Sequence, residues 1–241
     1  MTKTKDETHE TGTLRVVTWN IRKAMGTDRK RDPERVMQII AGMKADLVLI
    51  QEADFRLPPR PPVLAPARIE AATGLKPAVF PHGRESLGWH GNALLFGPRL
   101  TIDSLNHHDL PGVEPRGCVE AVLVRGEARL RVLGVHLGLL RASRRTQLSA
   151  ILAILEAGPE LPTLIAGDFN ERSLTVGLGR LSRRFRILSG GPTWHSRHPV
   201  FALDRIAVTK EFADASASAL RNALTAQASD HLPLVADLTL G

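Results

Sequence analysis

Short apolar runs recur along this chain, and one after another they stop at a polar residue. Thr163 to Ala166 is too short for a helix and suits a buried strand; it runs into Gly167, Asp168, Phe169 and Asn170, so a glycine is followed by two polar side chains one residue apart. Leu14 to Trp19 alternates as a strand does and ends at Asn20, Leu47 to Ile50 ends at Gln51 and Glu52, and Leu130 to Val135 ends at His136. Further strand candidates lie at Phe201 to Val208, which carries Asp204, and at Leu232 to Leu238, preceded by Ser229, Asp230 and His231. Taken alone, Gly167 to Asn170 reads as a turn with an Asx cap. The regular placement of polar groups at strand ends argues for more, because α/β folds build their sites beyond such ends.

Two helical stretches separate the apolar runs. Asp32 and Pro33 supply a cap and a first-turn proline, and Val36, Ile39, Ile40 and Met43 form an apolar stripe behind them. Arg141 to Leu155 repeats the helical spacing through Leu148, Ile151, Leu152 and Leu155. Pro58 to Pro66 reads as a proline-rich surface loop before a short helix around Ala67 to Thr73. Between Pro77 and Val135 short strands dominate, among them Ala93 to Phe96 and Val119 to Val124. The pattern predicts an α/β protein that mixes antiparallel neighbours with crossovers. The first strand lacks the glycine-rich turn of a dinucleotide fold.

With 241 residues, 43% of them hydrophobic, the chain can bury a full core, and no linker divides it. We expect a mobile polar tail over residues 1–12 and a single domain over 13–241. The lone Cys118 excludes an internal disulfide, and the polar start has no signal-peptide character, which together point to a cytoplasmic protein. No apolar run approaches the roughly 20 residues that span a bilayer. A net charge of +7 favours partners that carry phosphate. Peripheral contact with an anionic lipid surface stays open, with the basic cluster Arg141 to Arg145 as its candidate.

If the polar strand ends gather on one rim, that rim holds carboxylates, carboxamides and imidazoles without a thiolate. Oxygen-rich donors suit a hard cation, Mg²⁺ or Mn²⁺, and such a cation polarises a phosphoryl oxygen. Phosphoryl hydrolysis follows from that chemistry.

The segments Thr18-Trp19-Asn20-Ile21, Leu49-Ile50-Gln51-Glu52, Gly91-Asn92-Ala93, Val135-His136-Leu137, Gly167-Asp168-Phe169-Asn170, Leu203-Asp204-Arg205-Ile206 and Ser229-Asp230-His231-Leu232-Pro233-Leu234 resemble, in this order, the motif series of the endonuclease/exonuclease/phosphatase superfamily. The resemblance implies a four-layer α/β/β/α sandwich with two packed mixed β-sheets. It implies Glu52 as principal metal ligand supported by Asn20, with Asp230 near the metal and able to serve a second ion. Asp168 then positions or deprotonates the attacking water, and Asn170 holds the phosphate. His231, oriented by Asp204, binds the phosphoryl oxygen, and His136 faces the phosphate. Arg116 and Asn92 are implied contacts to substrate phosphate, although a salt-bridging arginine and a structural turn fit those two residues as well. His195 falls where relatives place a loop close to the site. The absence of any tyrosine departs from the abasic-site endonuclease branch.

The activity implied is a divalent-metal-dependent phosphohydrolase, foremost a phosphodiesterase acting on nucleic acid. A phosphodiesterase or phosphatase of lipid headgroups or small phosphoesters is the alternative, and a non-catalytic phosphate-binding protein is a third reading.

Overall fold

A computed structural model describes residues 12–57, 59–81 and 85–241. The expected tail therefore lies outside the described residues, apart from Gly12. In chain order the first elements are β1 (Thr13–Asn20), α1 (Pro33–Gly42), β2 (Leu47–Gln51), α2 (Pro66–Thr73), β3 (Lys76–Pro77) and β4 (Ala93–Phe96). There follow β5 (Thr101–Leu110), β6 (Arg116–Arg125), β7 (Ala128–His136), α3 (Arg141–Ala157) and β8 (Thr163–Asp168). The chain closes with β9 (Arg186–Leu188), β10 (Asp204–Val208), β11 (Phe212–Ala219), α4 (Ala223–Ala228) and β12 (Leu234–Leu240).

Among the described residues the strands form two six-stranded sheets, ordered β11-β12-β1-β2-β4-β3 and β5-β6-β7-β8-β10-β9. Each sheet contains one parallel pair, β1 with β2 and β7 with β8, among antiparallel neighbours. A parallel pair needs a crossover, and α1 and α3 supply the two. The sequence forms α1 where predicted: Asp32 accepts the amide of Arg35 and Pro33 occupies the first turn.

Among the described residues three apolar clusters fill the layers. One lies between the sheets and includes Val16, Leu49, Val119, Val132, Leu164 and Ile206. A second joins α1 to the outer face of the first sheet through Val17, Val36 and Ile40, and a third joins α3 to the second sheet through Val135, Leu148 and Ile151. The expected α/β/β/α sandwich is what the chain adopts. β2, β8 and β10 are buried along their whole length, which explains the apolar runs of β2 and β8; β10 buries the charged Asp204 and Arg205 ahead of its apolar Ile206 to Val208. Several strand boundaries shift by two or three residues, among them the last strand, which runs Leu234–Leu240. The strand predicted from Phe201 starts only at Asp204, because Phe201 pairs back onto Trp194 and turns the chain there.

Candidate active site

The topology brings the polar strand ends together. β1 and β2 run parallel, so Asn20 and Glu52 emerge at one end of the first sheet; β7 and β8 do the same for His136 and Asp168 in the second. β10 is antiparallel to β8 and begins there, with Asp204 directly opposite Asp168. His136 is the partner of Asp168 on the other side. Residues directly opposite one another across a sheet share a face, so His136, Asp168 and Asp204 stand in a row. His231 reaches the row from the segment before β12: the indole of the buried Trp19 donates to its carbonyl at 2.9 Å, and Ser229 donates to the Asn20 carbonyl at 2.7 Å.

Close backbone approach sets two local requirements. A Cβ on Gly167 would stand 1.8 Å from the Val135 carbonyl oxygen, so only glycine lets β8 lie against β7 at this point. Arg22, Lys23 and Ala24 all adopt left-handed conformations, with φ of 48°, 54° and 56°. Such a conformation costs roughly 1–2 kcal/mol per residue without glycine. The turn is held by several bonds at once: Arg22 N–H to the Asn20 side-chain oxygen, Met25 N–H to the Arg22 carbonyl, Asp32 N–H to the Ala24 carbonyl, and Arg31 to the Lys23 carbonyl. Strain of this kind persists where the surroundings over-determine it, commonly at functional sites. Its effect is to aim the Lys23 side chain at Glu52.

Asp168 is the hub. One of its oxygens accepts the Asn170 amide at 2.9 Å; the other accepts the Asn20 side chain at 3.1 Å and lies 3.4 Å from His136 Nε2 and 3.7 Å from His231 Nε2. The two histidines differ in charge. Arg116 donates to His136 Nδ1 at 3.1 Å, so the ring proton of His136 sits on Nε2, facing Asp168. Burial pushes His136 down to about 3, with the Arg116, His231 and Lys23 cations adding to the effect against the attraction of Asp168. His231 goes the other way. Burial opposes its charged form, but Asp204, 2.9 Å from Nδ1, and Asp168 outweigh that and lift it to about 10. At neutral pH a neutral imidazole and an imidazolium flank one carboxylate.

The carboxylates fit a hard cation at Glu52. Lys23 Nζ already forms an ion pair with Glu52, so a cation is electrostatically accepted there, and the remaining nearby donors are oxygen and nitrogen groups without thiolate. Asn20 directs its amide nitrogen at Glu52 and Asp168 while its oxygen accepts from Arg22, so ligation by Asn20 requires that oxygen's second lone pair. Asp168, Asp204 and His231 also offer ligand atoms within 4.8 Å of one another. That group is better read as a carboxylate–imidazolium cluster, because Asp204 and Asp168 hold His231 in its charged form, with a proton on Nδ1 toward Asp204 and another on Nε2 toward Asp168.

These residues line a cavity of about 810 Å³. Asn20, Glu52, Arg116, His136, Asp168, Asn170, Asp230 and His231 all face it, and the fully buried Asp204 backs it. Asn92 does not line the cavity: its side chain donates to the carbonyls of Trp89 and Gly117 and ties its own turn to β6. The structural-turn alternative is the one this geometry favours. His195 is not part of the lining either; its neighbour Trp194 is. His90 lines the cavity, held between Arg60 at 2.7 Å and Asp109 at 3.0 Å. His82 lies outside the described residues.

The sequence from residue 17 to 231 matches the family model described as Endonuclease/Exonuclease/phosphatase family. The chain belongs to that family. Comparison with curated proteins gives no match. Among solved structures, a conserved protein of unknown function from Enterococcus faecalis V583 aligns over 95% of this chain and 100% of its own, with a TM-score of 0.74 at 19% identity. An endonuclease/exonuclease/phosphatase from Bacteroides vulgatus gives 0.74 at 19% identity, over 95% and 99%. TDP2 from D. rerio, solved with a single strand DNA product, gives 0.71 at 17% identity, over 94% and 99%. At these identities the likeness establishes the fold.

This family member also carries site residues that its motifs did not disclose. Lys23, Arg56, Arg60 and Arg172 add positive charge to the cavity, and Phe55, Trp194 and Phe201 add aromatic faces. Trp194 and Phe201 stack with centroids 6.1 Å apart, and the Arg172 guanidinium lies 4.6 Å over Phe201. Basic residues scattered in loops have no periodicity to betray them. The one available signal was the Thr193-Trp194-His195 segment, and it pointed to His195 instead of its neighbour.

Proposed function

We propose that this protein is a divalent-metal-dependent phosphodiesterase acting on nucleic-acid phosphodiesters. The observation that carries the reading is the Asp168 carboxylate held between neutral His136 and cationic His231 in a cavity that Glu52 also lines. Glu52, with Asn20 and Asp230 alongside, would hold Mg²⁺ or Mn²⁺, which when bound supplies Lewis-acid polarisation of the phosphoryl oxygen. Asp168 orients the attacking water and accepts its proton. The His231 imidazolium, its Nδ1 proton committed to Asp204, presents Nε2–H to the phosphoryl oxygen and stabilises the charge that builds there. Asn170, whose amide donates to the Leu137 carbonyl at 2.9 Å, is fixed to meet the same phosphate, with Arg116 and the Nε2–H of His136 beside it.

Nucleic acid is supported by the net charge of +7, the cavity arginines and the stacked Trp194–Phe201 pair, which suits the flat face of a base. The single strand DNA product bound by the D. rerio TDP2 neighbour is consistent with that choice. A lipid-headgroup phosphodiester is the second reading. Leu57 and Leu139 favour it, since they line the cavity yet stand 76% and 66% exposed.

The test is a hydrolysis panel with Mg²⁺, Mn²⁺ or EDTA over an aryl phosphodiester, an aryl phosphomonoester, DNA, RNA and phospholipid vesicles. Metal-dependent cleavage of diesters, lost in Asp168→Ala and His231→Ala variants that still fold, supports the proposal. A strict preference for the monoester would refute it.

A further inference from the structure

Lys23 is absent from the motif series, yet the fold goes to some length to place it. Three consecutive left-handed residues, none of them glycine, carry the chain from Asn20 past Lys23, and the Lys23 carbonyl is pinned by Arg31. The side chain then lines the catalytic cavity and its ammonium pairs with Glu52, the carboxylate that our functional reading assigns to the metal. Both partners are half-buried, with side-chain exposures of 30% and 25%. Asn20 donates to the second Glu52 oxygen at 3.4 Å, so each carboxylate oxygen has a partner. A divalent cation and an ammonium cannot both occupy the position in front of one carboxylate at bonding distance, because like charges at that range repel strongly.

We propose that Lys23 is a built-in competitor of the divalent cation for Glu52: the ion binds only as the ammonium leaves, so this lysine sets the affinity of the metal site. The inference rests on the metal-dependent reading and adds a residue that tunes it. Lys23 neutralises Glu52 when no ion is bound. Once displaced, its flexible four-carbon stem leaves the ammonium free to turn into the cavity, where a substrate phosphate is its natural new partner.

Binding of Mn²⁺ to metal-free protein, followed by electron paramagnetic resonance of the free ion, tests this without any turnover. In Lys23→Met the Mn²⁺ dissociation constant should fall about tenfold or more, a typical size for coupling between competing occupants. Lys23→Gln should do the same, and thermal unfolding checks that both variants fold. Lys23→Arg keeps the charge and should retain the weak affinity, while Glu52→Gln should remove the site. In the wild-type chain Mg²⁺ should speed reductive methylation of Lys23 by freeing its ammonium. An unchanged Mn²⁺ dissociation constant in both neutral variants overturns the competition and leaves the metal reading standing. Failure of the wild type and of both neutral variants to bind Mn²⁺ overturns both.

Discussion

His231 Nδ1 lies 2.9 Å from an oxygen of Asp204, and Asp204 is fully buried in the ladder directly opposite Asp168. The carboxylate cannot be solvated from outside, so its charge is spent on the imidazole. Asp204→Asn keeps the shape and removes that charge. The titration of His231, read by NMR of its ring nitrogens, should move down, and kcat should fall about 10²–10³-fold at neutral pH as the phosphoryl oxygen loses a charged donor. An unmoved His231 titration would show that Asp204 is not its partner.

The same two histidines set opposite pH limits on stability. His231 is raised from 6.5 to about 10, so its contribution is complete below pH 6.5 and is lost as pH climbs toward 10. His136 is lowered to about 3, so its contribution is present above pH 6.5 and is lost as pH falls toward 3. Each slope approaches about 1.4 kcal/mol per pH unit, the worth of one proton. Urea unfolding in EDTA from pH 4 to about 9.5 should show the loss on both sides. His136→Gln should flatten the acid limb, and His231→Gln should flatten the alkaline limb while softening the acid one slightly, because it removes one of the cations that hold His136 down. A wild-type curve level above pH 7 would contradict the charge assigned to His231.

Gly167 tests the packing that places Asp168. Its missing Cβ would fall 1.8 Å from the Val135 carbonyl oxygen, and backbone cannot yield as a flexible side chain does. Gly167→Ala should therefore part β7 from β8 where His136 pairs with Asp168, costing about 3 kcal/mol in a denaturant titration. Activity should fall beyond what the loss of folded protein explains. A variant as stable as the wild type would mean that the strands do not approach so closely.

What could be read from the sequence follows from burial. β2 and β8 are enclosed on both faces and β1 and β7 are buried toward their ends, so the residues there had to be largely apolar and the polar residues closing them stood out; Asn20, Glu52, His136 and Asp168 were recognisable in that way. β5 and β11 lie at sheet edges, alternate in exposure and carry polar or small residues, so nothing in their composition distinguished them from loops. Asn92 sat in a matching motif, and a motif cannot tell an amide that meets substrate from one that binds two backbone carbonyls. Lys23 was hidden for a third reason. A left-handed turn built without glycine has no sequence signature, and only the bonds that hold it reveal where its side chain is aimed.

The aromatic wall offers a way to separate the two substrate classes. Trp194 and Phe201 stack at the cavity edge, and their backbones are already bonded to one another, so removing the indole leaves the loop connected. A base stacked on an aromatic ring contributes about 1–3 kcal/mol, whereas a compact aryl phosphodiester held mainly at its phosphate gains little from a distant wall. Trp194→Ala should raise KM for a short single-stranded oligonucleotide about tenfold, with kcat little changed, and Trp194→Phe should restore most of the loss. Cleavage of the aryl phosphodiester should stay within about twofold of wild type. If the alanine variant instead keeps its oligonucleotide KM and loses action on phospholipid vesicles, the wall serves acyl chains, and the exposed Leu57 and Leu139 beside the same cavity become the next residues to change.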